Sequence, residues 1–252
     1  METARLVVSP AAPYSIWLAR TKLEVAAAQA LRFEVFNLEL QEGLAASFDT
    51  GLDADPFDEV CDHLLVENVV DGSIVGTYRL QTGGMAATNR GYYSAQEFDF
   101  SPYEKIRGEM IELGRACVHK AHRNLAVLGL LWKGIADYAS ARGARYLCGC
   151  SSLTAQEPEI GASAYTELCR NHLVSPEFRT RPQPAYACPL THLAEESPKI
   201  PKLLRAYLSI GAKICGPPAL DREFKTIDFL TFLDLRSLPP QVRARFMGSP
   251  VE

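Results

Sequence analysis

The sequence predicts an α/β fold in which a mixed β-sheet carries helices on its faces. Two apolar runs flank the dipeptide Asp71-Gly72, which favours a tight turn between antiparallel strands. Further along the chain, strand-like runs alternate with helical ones, which favours a mixed sheet. The length of 252 residues suits one substantial domain or two small ones. We predict one domain, 1–252, in which 176–252 form a C-terminal elaboration.

The individual elements follow from local signals. A strand is predicted at 15–20, and Thr21 with Glu24 fits a capping box that opens a helix reaching about Leu40. An acidic loop of residues 41–60 precedes the hairpin strands. The remaining predicted elements are the hairpin strands at 62–70 and 73–82, strands at 110–119, 146–150 and 226–235, and helices at 124–142, 157–171 and 202–210.

Composition and charge exclude several classes of protein. A net charge of −4, with 47% hydrophobic and 22% charged residues, is typical of a soluble globular chain and argues against a general nucleic-acid binder. The seven cysteines lack metal-ligand spacing, so we interpret them as small buried side chains in a reducing compartment. The sequence shows no signal-peptide core and no apolar run of membrane-spanning length. We therefore expect a cytoplasmic protein and leave peripheral contact with the inner membrane open.

The run I-E-L-G-R-A-C-V-H at 111–119 carries the strongest functional signal. It places Glu112 and Arg115 in an apolar strand, where unpaired charges are costly to bury. Residues three apart face opposite sides of a regular strand. If both serve one site, the strand needs a bulge, and Gly114 is where we expect it. The alternative is a structural salt bridge at a sheet edge.

Several stretches together resemble a known family. They are LRFEVF at 31–36, FDEVCDHLLV at 57–66, IVGTYRL at 74–80, ELGR at 112–115, LLWKGIADY at 130–138, CGCSSL at 148–153 and the tail at 203–230. In combination they resemble the ornithine acyl-acyl-carrier-protein N-acyltransferases, a branch of the GNAT superfamily related to the acyl-homoserine lactone synthases. The resemblance extends over about 31–235 and implies a GNAT-like single domain with a mixed, splayed sheet and helices on both faces.

The resemblance also implies roles for individual residues. An amine must lose its proton before it attacks a thioester, and Glu112 would accept that proton as general base, with Arg115 as its catalytic partner. The positions implied for substrate binding are Arg32, Phe36, Asp55, Asp58, Arg79, Gly114, Ala116 and Cys117. Among these, the charged residues have a second interpretation as salt bridges that hold the fold, and Cys117 has one as a packing residue. His63 is interpreted as structural.

Two departures from related patterns bear on the substrates. Lactone synthases carry a tryptophan six residues after the phenylalanine that corresponds to Phe36, and here that position is Glu42, which argues against lactone formation. Acetyl-CoA-dependent GNAT enzymes have two glycines in the phosphate loop, and the matching stretch 123–128 has none. An acyl carrier protein, whose arm brings one phosphate and no nucleotide, is therefore the expected donor.

Basic and polar residues surround that loop. The implied contacts with the carrier protein and its phosphopantetheine are Lys120, His122, Arg123 and Asn124. In an acidic chain this patch favours docking of an acidic carrier, and the alternative is a solvated loop. No bound cofactor and no metal are expected.

The function implied is transfer of a (3-hydroxy)fatty acyl group from acyl carrier protein to the α-amine of ornithine, which gives lyso-ornithine lipid. One alternative is a long-chain N-acyl amino acid or acyl-homoserine lactone synthase. The other is a non-catalytic module that binds acyl carrier protein or lipid. The presence of a base at Glu112 argues against the module, since binding alone does not require it.

Overall fold

The computed structural model describes residues 6–7 and 13–247. Its strands are β1 (Leu6–Val7), β2 (Tyr14–Leu18), β3 (Asp62–Asn68), β4 (Ser73–Thr82), β5 (Met110–Val118), β6 (Tyr146–Leu153), β7 (Lys213–Ile214), β8 (Ala219–Asp221) and β9 (Thr226–Asp234). Its α-helices are α1 (Lys22–Phe33), α2 (Ser47–Thr50), α3 (Gly83–Thr88), α4 (Leu125–Ala141), α5 (Pro158–His172), α6 (Lys202–Ser209) and α7 (Pro240–Met247).

Most of the predicted elements are confirmed. The capping box that opens α1 forms in both directions: the Thr21 side chain accepts from the Glu24 N–H, and the Glu24 carboxylate accepts from the Thr21 N–H. The helix continues beyond Phe33 as a π-helix, Glu34–Glu39, so the predicted extent to about Leu40 holds although the last part is not α-helical. Within the described residues no helix has the length and apolar character to cross a membrane.

The chain divides into two compact units. The first comprises the described residues up to Gln81, then Leu113–Gly143 and the chain from Arg243. The second comprises Thr82–Glu112 and Ala144–Val242. Strand β5 contributes residues to both units. The predicted boundaries of one domain at 1–252 stay a prediction.

In the first unit, β1 to β4 pair antiparallel in sequence order. Helix α4 packs closely on them, because a Cβ added at Gly134 would lie 2.6 Å from Ile16 and 2.9 Å from Leu64. His63 directly precedes Leu64 on β3. Because adjacent strand residues point to opposite faces, His63 points away from α4. His63 contacts the carbonyl oxygen of Asp58, whose carboxylate binds Arg32 of α1. This unit therefore has helices on both faces of its strands.

In the second unit, β6 pairs parallel with β5 and antiparallel with β9, so the sheet is mixed as predicted. The parallel ladder has three residue pairs and ends at Glu112↔Cys148. The faces of β9 alternate: Ile227 and Phe229 pack with residues of α5 and α6. Leu230 and Phe232 pack with aromatic residues from the segment between α3 and β5. This aromatic cluster supports the start of β5.

Candidate active site

Three arginines and three aspartates form a buried charge network in the first unit. Arg32, which is 0% exposed, donates through both Nη atoms to Asp58 at 3.1 and 2.6 Å. Its Nε lies 2.8 Å from Oδ1 of Asp53. Arg79 Nη1 donates to Oδ1 of Asp55 at 2.6 Å and to Oδ1 of Asp58 at 2.9 Å. The charges in this set balance.

Arg115 joins the same network. Its Nη2 donates to Oδ2 of Asp55 at 3.0 Å, and its Nε lies 3.3 Å from Oδ1 of Asp53. Burial alone would raise the pKa of Asp55 and of Asp58, but the neighbouring arginines outweigh burial and hold both pKa values below the usual range. These contacts fit the interpretation of Arg32, Asp55, Asp58 and Arg79 as salt bridges that hold the fold. Their contact with substrate stays a prediction.

The acidic segment is folded onto these arginines. Asp55 caps the 3₁₀ helix Pro56–Glu59 by accepting from the Phe57 N–H, and Asp58 in turn accepts from the Asp55 N–H. A cap of this kind satisfies N–H groups at a helix start. The segment predicted as a plain loop at 41–60 therefore contains this 3₁₀ helix and α2. Asp55 and Asp58 both order the 3₁₀ helix and bind arginine side chains.

The predicted irregularity in β5 lies one residue later than expected. Arg115 adopts a left-handed backbone with φ of 49°, whereas the bulge was predicted at Gly114. A positive φ in a residue with a side chain is uncommon and costs energy. Here the ion pairs of Arg115 with Asp53 and Asp55 hold the side chain in place. A Cβ added at Gly114 would meet no atom within 4 Å, so the backbone of this residue is open on one side.

Glu112 lies in the second unit and is 4% exposed. Its Oε2 accepts the backbone N–H of Tyr93 at 2.8 Å, and its Oε1 accepts that of Ser94 at 2.7 Å. These two residues begin the 3₁₀ helix Tyr93–Gln96. The carboxylate is therefore held in one orientation, with each oxygen accepting one backbone N–H.

Three other predicted positions are buried or half-buried, and their contact with substrate stays a prediction. Phe36 is 7% exposed in the π-helix, and Cys117 is 6% exposed. Burial raises the pKa of the Cys117 thiol, which disfavours the nucleophilic thiolate. Ala116 is half-buried between Arg115 and Cys117. Burial also lowers the pKa of His63, as expected for a structural histidine.

The basic loop before α4 combines local contacts with exposed groups. Asn124 caps the helix, since its Oδ1 accepts from the N–H groups of Ala126 and Val127. Arg123 binds Glu39 through both Nη atoms at 2.6 and 2.7 Å. His122 Nδ1 lies 2.9 Å from the Tyr14 hydroxyl. Lys120 is exposed, and its role in carrier binding stays a prediction.

The second unit also contains a cluster that the sequence interpretation missed. The carboxylates of Glu97, Asp221 and Asp228 are buried, and one oxygen of each lies within 4.8 Å of the others. No motif could have indicated them, because the first is separated from the other two by more than a hundred residues and the strand pairing of β8 with β9 brings the latter together.

The residues of the site suit direct acyl transfer to an amine. A held carboxylate such as that of Glu112 can accept a proton from an amine. Of the seven cysteines, all of them free, the buried Cys117, Cys148 and Cys215 have raised thiol pKa values because of burial. A covalent cysteine intermediate is therefore not favoured.

Comparison with known proteins identifies the family. The acetyltransferase (GNAT) domain family matches residues 31–133. The L-ornithine N(alpha)-acyltransferase of Agrobacterium fabrum is 34% identical over 236 residues, which cover 88% of this chain and 80% of the relative. The L-ornithine N(alpha)-acyltransferase of Rhodobacter capsulatus is 31% identical, and the alignment covers 91% of this chain and 93% of the relative.

Solved structures support the same fold at lower identity. The AHL synthase LasI matches with a TM-score of 0.54 and 12% identity, over 95% of this chain and 97% of that protein. FeeM, an N-acyl amino acid synthase from uncultured soil microbes, matches with a TM-score of 0.53 and 14% identity, over the same shares. These two matches show the fold alone. The identity to the curated relatives shows more: the chain is an N-acyltransferase of the GNAT fold and belongs to the L-ornithine N(alpha)-acyltransferase family.

Proposed function

We propose that this enzyme transfers a fatty acyl group, a 3-hydroxyacyl chain by the resemblance, from acyl carrier protein to the α-amine of ornithine. The product would be lyso-ornithine lipid. The observation that carries the proposal is the identity of 31–34% to relatives named L-ornithine N(alpha)-acyltransferase, over most of both chains. The orientation of Glu112 supports it, since two backbone N–H donors hold this carboxylate in place as a candidate base.

The reaction proceeds in one covalent exchange. Glu112 accepts a proton from the substrate ammonium, directly or through one water molecule, so that the amine nitrogen gains a lone pair. The nitrogen forms a C–N bond to the thioester carbonyl carbon, and the C–S bond then breaks. The phosphopantetheine sulfur leaves as a thiol after it takes up a proton. Backbone N–H groups of Gly114, Ala116 and Cys117 would stabilise the oxyanion that forms on the carbonyl oxygen.

The choice of acyl carrier protein as donor rests on the loop before α4. The stretch 123–128 contains no glycine, and helix α4 begins directly after it with Asn124 as its cap. The amino-terminal end of a helix of this length favours a phosphate. An arm with one phosphate needs less room than a nucleotide, which favours a carrier protein over free acyl-CoA. No resident cofactor takes part in this scheme.

We also propose that the enzyme acts in the cytoplasm, where its carrier protein would be, and releases its product to the inner membrane. The product has one acyl chain and a charged head, so it partitions to a lipid surface. The exposed apolar side chains of Leu38, Leu40 and Phe48 are candidates for a peripheral contact.

The experiment is acyl transfer by the purified protein, with products identified by mass spectrometry. Acyl carrier protein loaded with a 3-hydroxyacyl chain is offered with ornithine, with neutral amino acids, or without an amine. The expected result is an amide of ornithine with the mass of lyso-ornithine lipid. Formation of a lactone, or of neutral N-acyl amino acids in preference to N-acyl ornithine, would instead indicate one of the alternative synthases. Binding of the carrier without turnover on any amine would indicate a non-catalytic module.

A further inference from the structure

Glu97, Asp221 and Asp228 form a carboxylate triad in the second unit. They are 2%, 6% and 3% exposed, respectively, and one oxygen of each lies within 4.8 Å of the others. Asp228 stands on β9 and Asp221 at the end of β8, in antiparallel pairing. Glu97 follows the 3₁₀ helix Tyr93–Gln96. Three carboxylates at this spacing repel one another strongly in a buried place unless protons or a cation neutralise them.

Part of the hydrogen-bonding capacity of the triad is already used. Oδ1 of Asp221 accepts the backbone N–H groups of Glu223 and Phe224 at 2.8 and 2.9 Å. Oδ2 of Asp228 accepts the Thr226 hydroxyl at 2.9 Å. These contacts fix the orientation of two of the three carboxylates.

One oxygen of the triad is left over. Oδ1 of Asp228 is buried and accepts no hydrogen bond from any described residue. An unsatisfied buried carboxylate oxygen is costly, so a partner from outside the chain would stabilise it. Among the described residues, neither Asp221 nor Asp228 forms a salt bridge. Burial raises the pKa of the Asp228 carboxyl to about 6, which is consistent with the lack of a cation beside it.

The first unit shows the opposite arrangement. There the buried aspartates Asp53, Asp55 and Asp58 each lie against arginine side chains, with distances of 2.6 to 3.3 Å. Those carboxylates are already neutralised, so a substrate cation gains little from them. Asp221 and Asp228 of the second unit have no such arginine partner among the described residues.

We propose that the carboxylate triad binds the side-chain ammonium of ornithine and thereby selects a diamino acid. This inference rests on the proposed function. An alkylammonium has three N–H donors and no acceptor, which matches three convergent carboxylates. Charge-assisted hydrogen bonds of this kind are among the strong ones in proteins. The α-amine that reacts is a different group, and it needs a base rather than a binding site for its cation.

The triad and the base Glu112 are held by one short segment. Tyr93 and Ser94 donate their N–H groups to Glu112, and Glu97 ends the same segment. The Sγ of Cys150 lies 3.3 Å from the Ser94 hydroxyl and 3.8 Å from Oε2 of Glu97, so these two groups are no more than about 7 Å apart. The two nitrogens of extended ornithine, joined through five bonds of about 1.5 Å, are about 6 Å apart.

The triad lies close to accessible side chains. Ser152 is exposed, and its hydroxyl hydrogen-bonds to Asp228. Cys150 is half-buried, with its Sγ 3.8 Å from Oε2 of Glu97 and 3.3 Å from the Ser94 hydroxyl. Asp228 of the triad therefore lies within one side chain of the surface, at Ser152.

The test compares ornithine with norvaline, which has the same carbon chain without the second amine. Asp228→Asn and Glu97→Gln remove one negative charge each and keep the side-chain size. Asp234→Asn is the control, because Asp234 ends the same strand and pairs with Arg145 at 2.6 Å. We expect the wild type to prefer ornithine. The triad variants should raise KM for ornithine on the order of 10- to 100-fold, as for loss of a charge-assisted hydrogen bond, with little change for norvaline.

A second readout does not depend on turnover. Ornithine should raise the Tm of the wild type and of Asp234→Asn, but not that of Asp228→Asn, while norvaline should have little effect on any of them. Absence of ornithine acylation by the wild type would defeat the proposed function itself. If the wild type acylates ornithine and Asp228→Asn lowers the efficiency for both amino acids equally, the triad does not select the ammonium. Loss of the preference on chelation, with recovery on adding a divalent cation, would make the triad a metal site and overturn the inference.

Discussion

The backbone N–H of Ser94 donates to Oε1 of Glu112 at 2.7 Å, while the N–H of the residue before it donates to Oε2. The orientation of the proposed base is thus set by a segment 18 residues earlier in the chain. Because both oxygens are used, the side chain cannot rotate without losing one of these bonds. The same carboxylate therefore orders the start of the 3₁₀ helix Tyr93–Gln96.

This geometry makes Glu112→Gln a test of the base. The amide cannot accept a proton at neutral pH, so we expect the acyl-transfer rate to fall on the order of a hundredfold or more. Glu109→Gln is the matched control, since Glu109 is exposed just before β5 and should change the rate little. Rates are measured over a pH series, with Tm recorded for both variants. If Glu112→Gln is folded and turns over as fast as the wild type across the pH series, Glu112 is not the general base.

The sequence predicted the main strands and helices because each has a local signal. The capping box at Thr21, the turn at Asp71-Gly72 and the helix end at about Arg142 all depend on neighbouring residues, and the structure confirms them. The short strands β7 and β8 were missed because pairing with β9 alone defines them. Helix α7 was also missed.

The same distinction holds for the site residues: some could be found from the sequence, and others are brought together only by the tertiary structure. Arg32, Arg79, Asp55 and Asp58 were found through the resemblance, and the structure brings them together with Arg115. Asp53 completes the network but was not singled out, although it lies in the same acidic segment. The carboxylate triad could not be found from sequence, since it depends on the tertiary position of Glu97 beside β9. A charge pattern in the sequence does not distinguish aspartates that pair with an arginine in the fold from aspartates that have no such pair.

The charge network predicts how stability depends on pH. The pKa values of Asp55 and Asp58 are lower in the folded chain than the value of about 4 expected when unfolded. Their ion pairs therefore stabilise the fold fully above about pH 4, and this stabilisation is lost as the pH falls below that value toward the folded-state pKa values. Chemical unfolding between pH 7 and pH 3 should show this loss.

Asp58→Asn should lower the free energy of unfolding at pH 7 by about 3–5 kcal/mol, because it leaves Arg32 and Arg79 with one carboxylate fewer in a buried place. Its stability should also fall less steeply below pH 4. Asp137→Asn breaks the exposed pair with Lys133 and should cost less than about 1 kcal/mol. Equal effects of the two substitutions would show that the buried network does not hold the fold.

The basic loop predicts a salt-dependent contact with the donor. Lys120→Glu should raise KM for acyl carrier protein, and the effect should shrink at high salt because exposed charges are screened. Lys22→Glu is the control, since Lys22 is also exposed and lies at the start of α1. Arg123 is less suitable, since it already binds Glu39 and its substitution would disturb that pair. If the enzyme uses acyl-CoA of the same chain length as efficiently as acyl carrier protein, the choice of donor is contradicted.

Gly114 offers a test of where the acyl group lies. A Cβ at this position would meet no protein atom within 4 Å, so Gly114→Ala should fold with an unchanged Tm. If the thioester approaches this backbone, the added methyl group displaces it, and a shift of about 1 Å can cost on the order of a hundredfold in rate. Gly108→Ala is the control, because a Cβ there is equally free of contacts and the residue lies outside the proposed site. We expect Gly114→Ala to lose activity and Gly108→Ala to retain it, measured as kcat/KM with acyl carrier protein and ornithine. Full activity of Gly114→Ala would place the reacting carbonyl away from this part of β5.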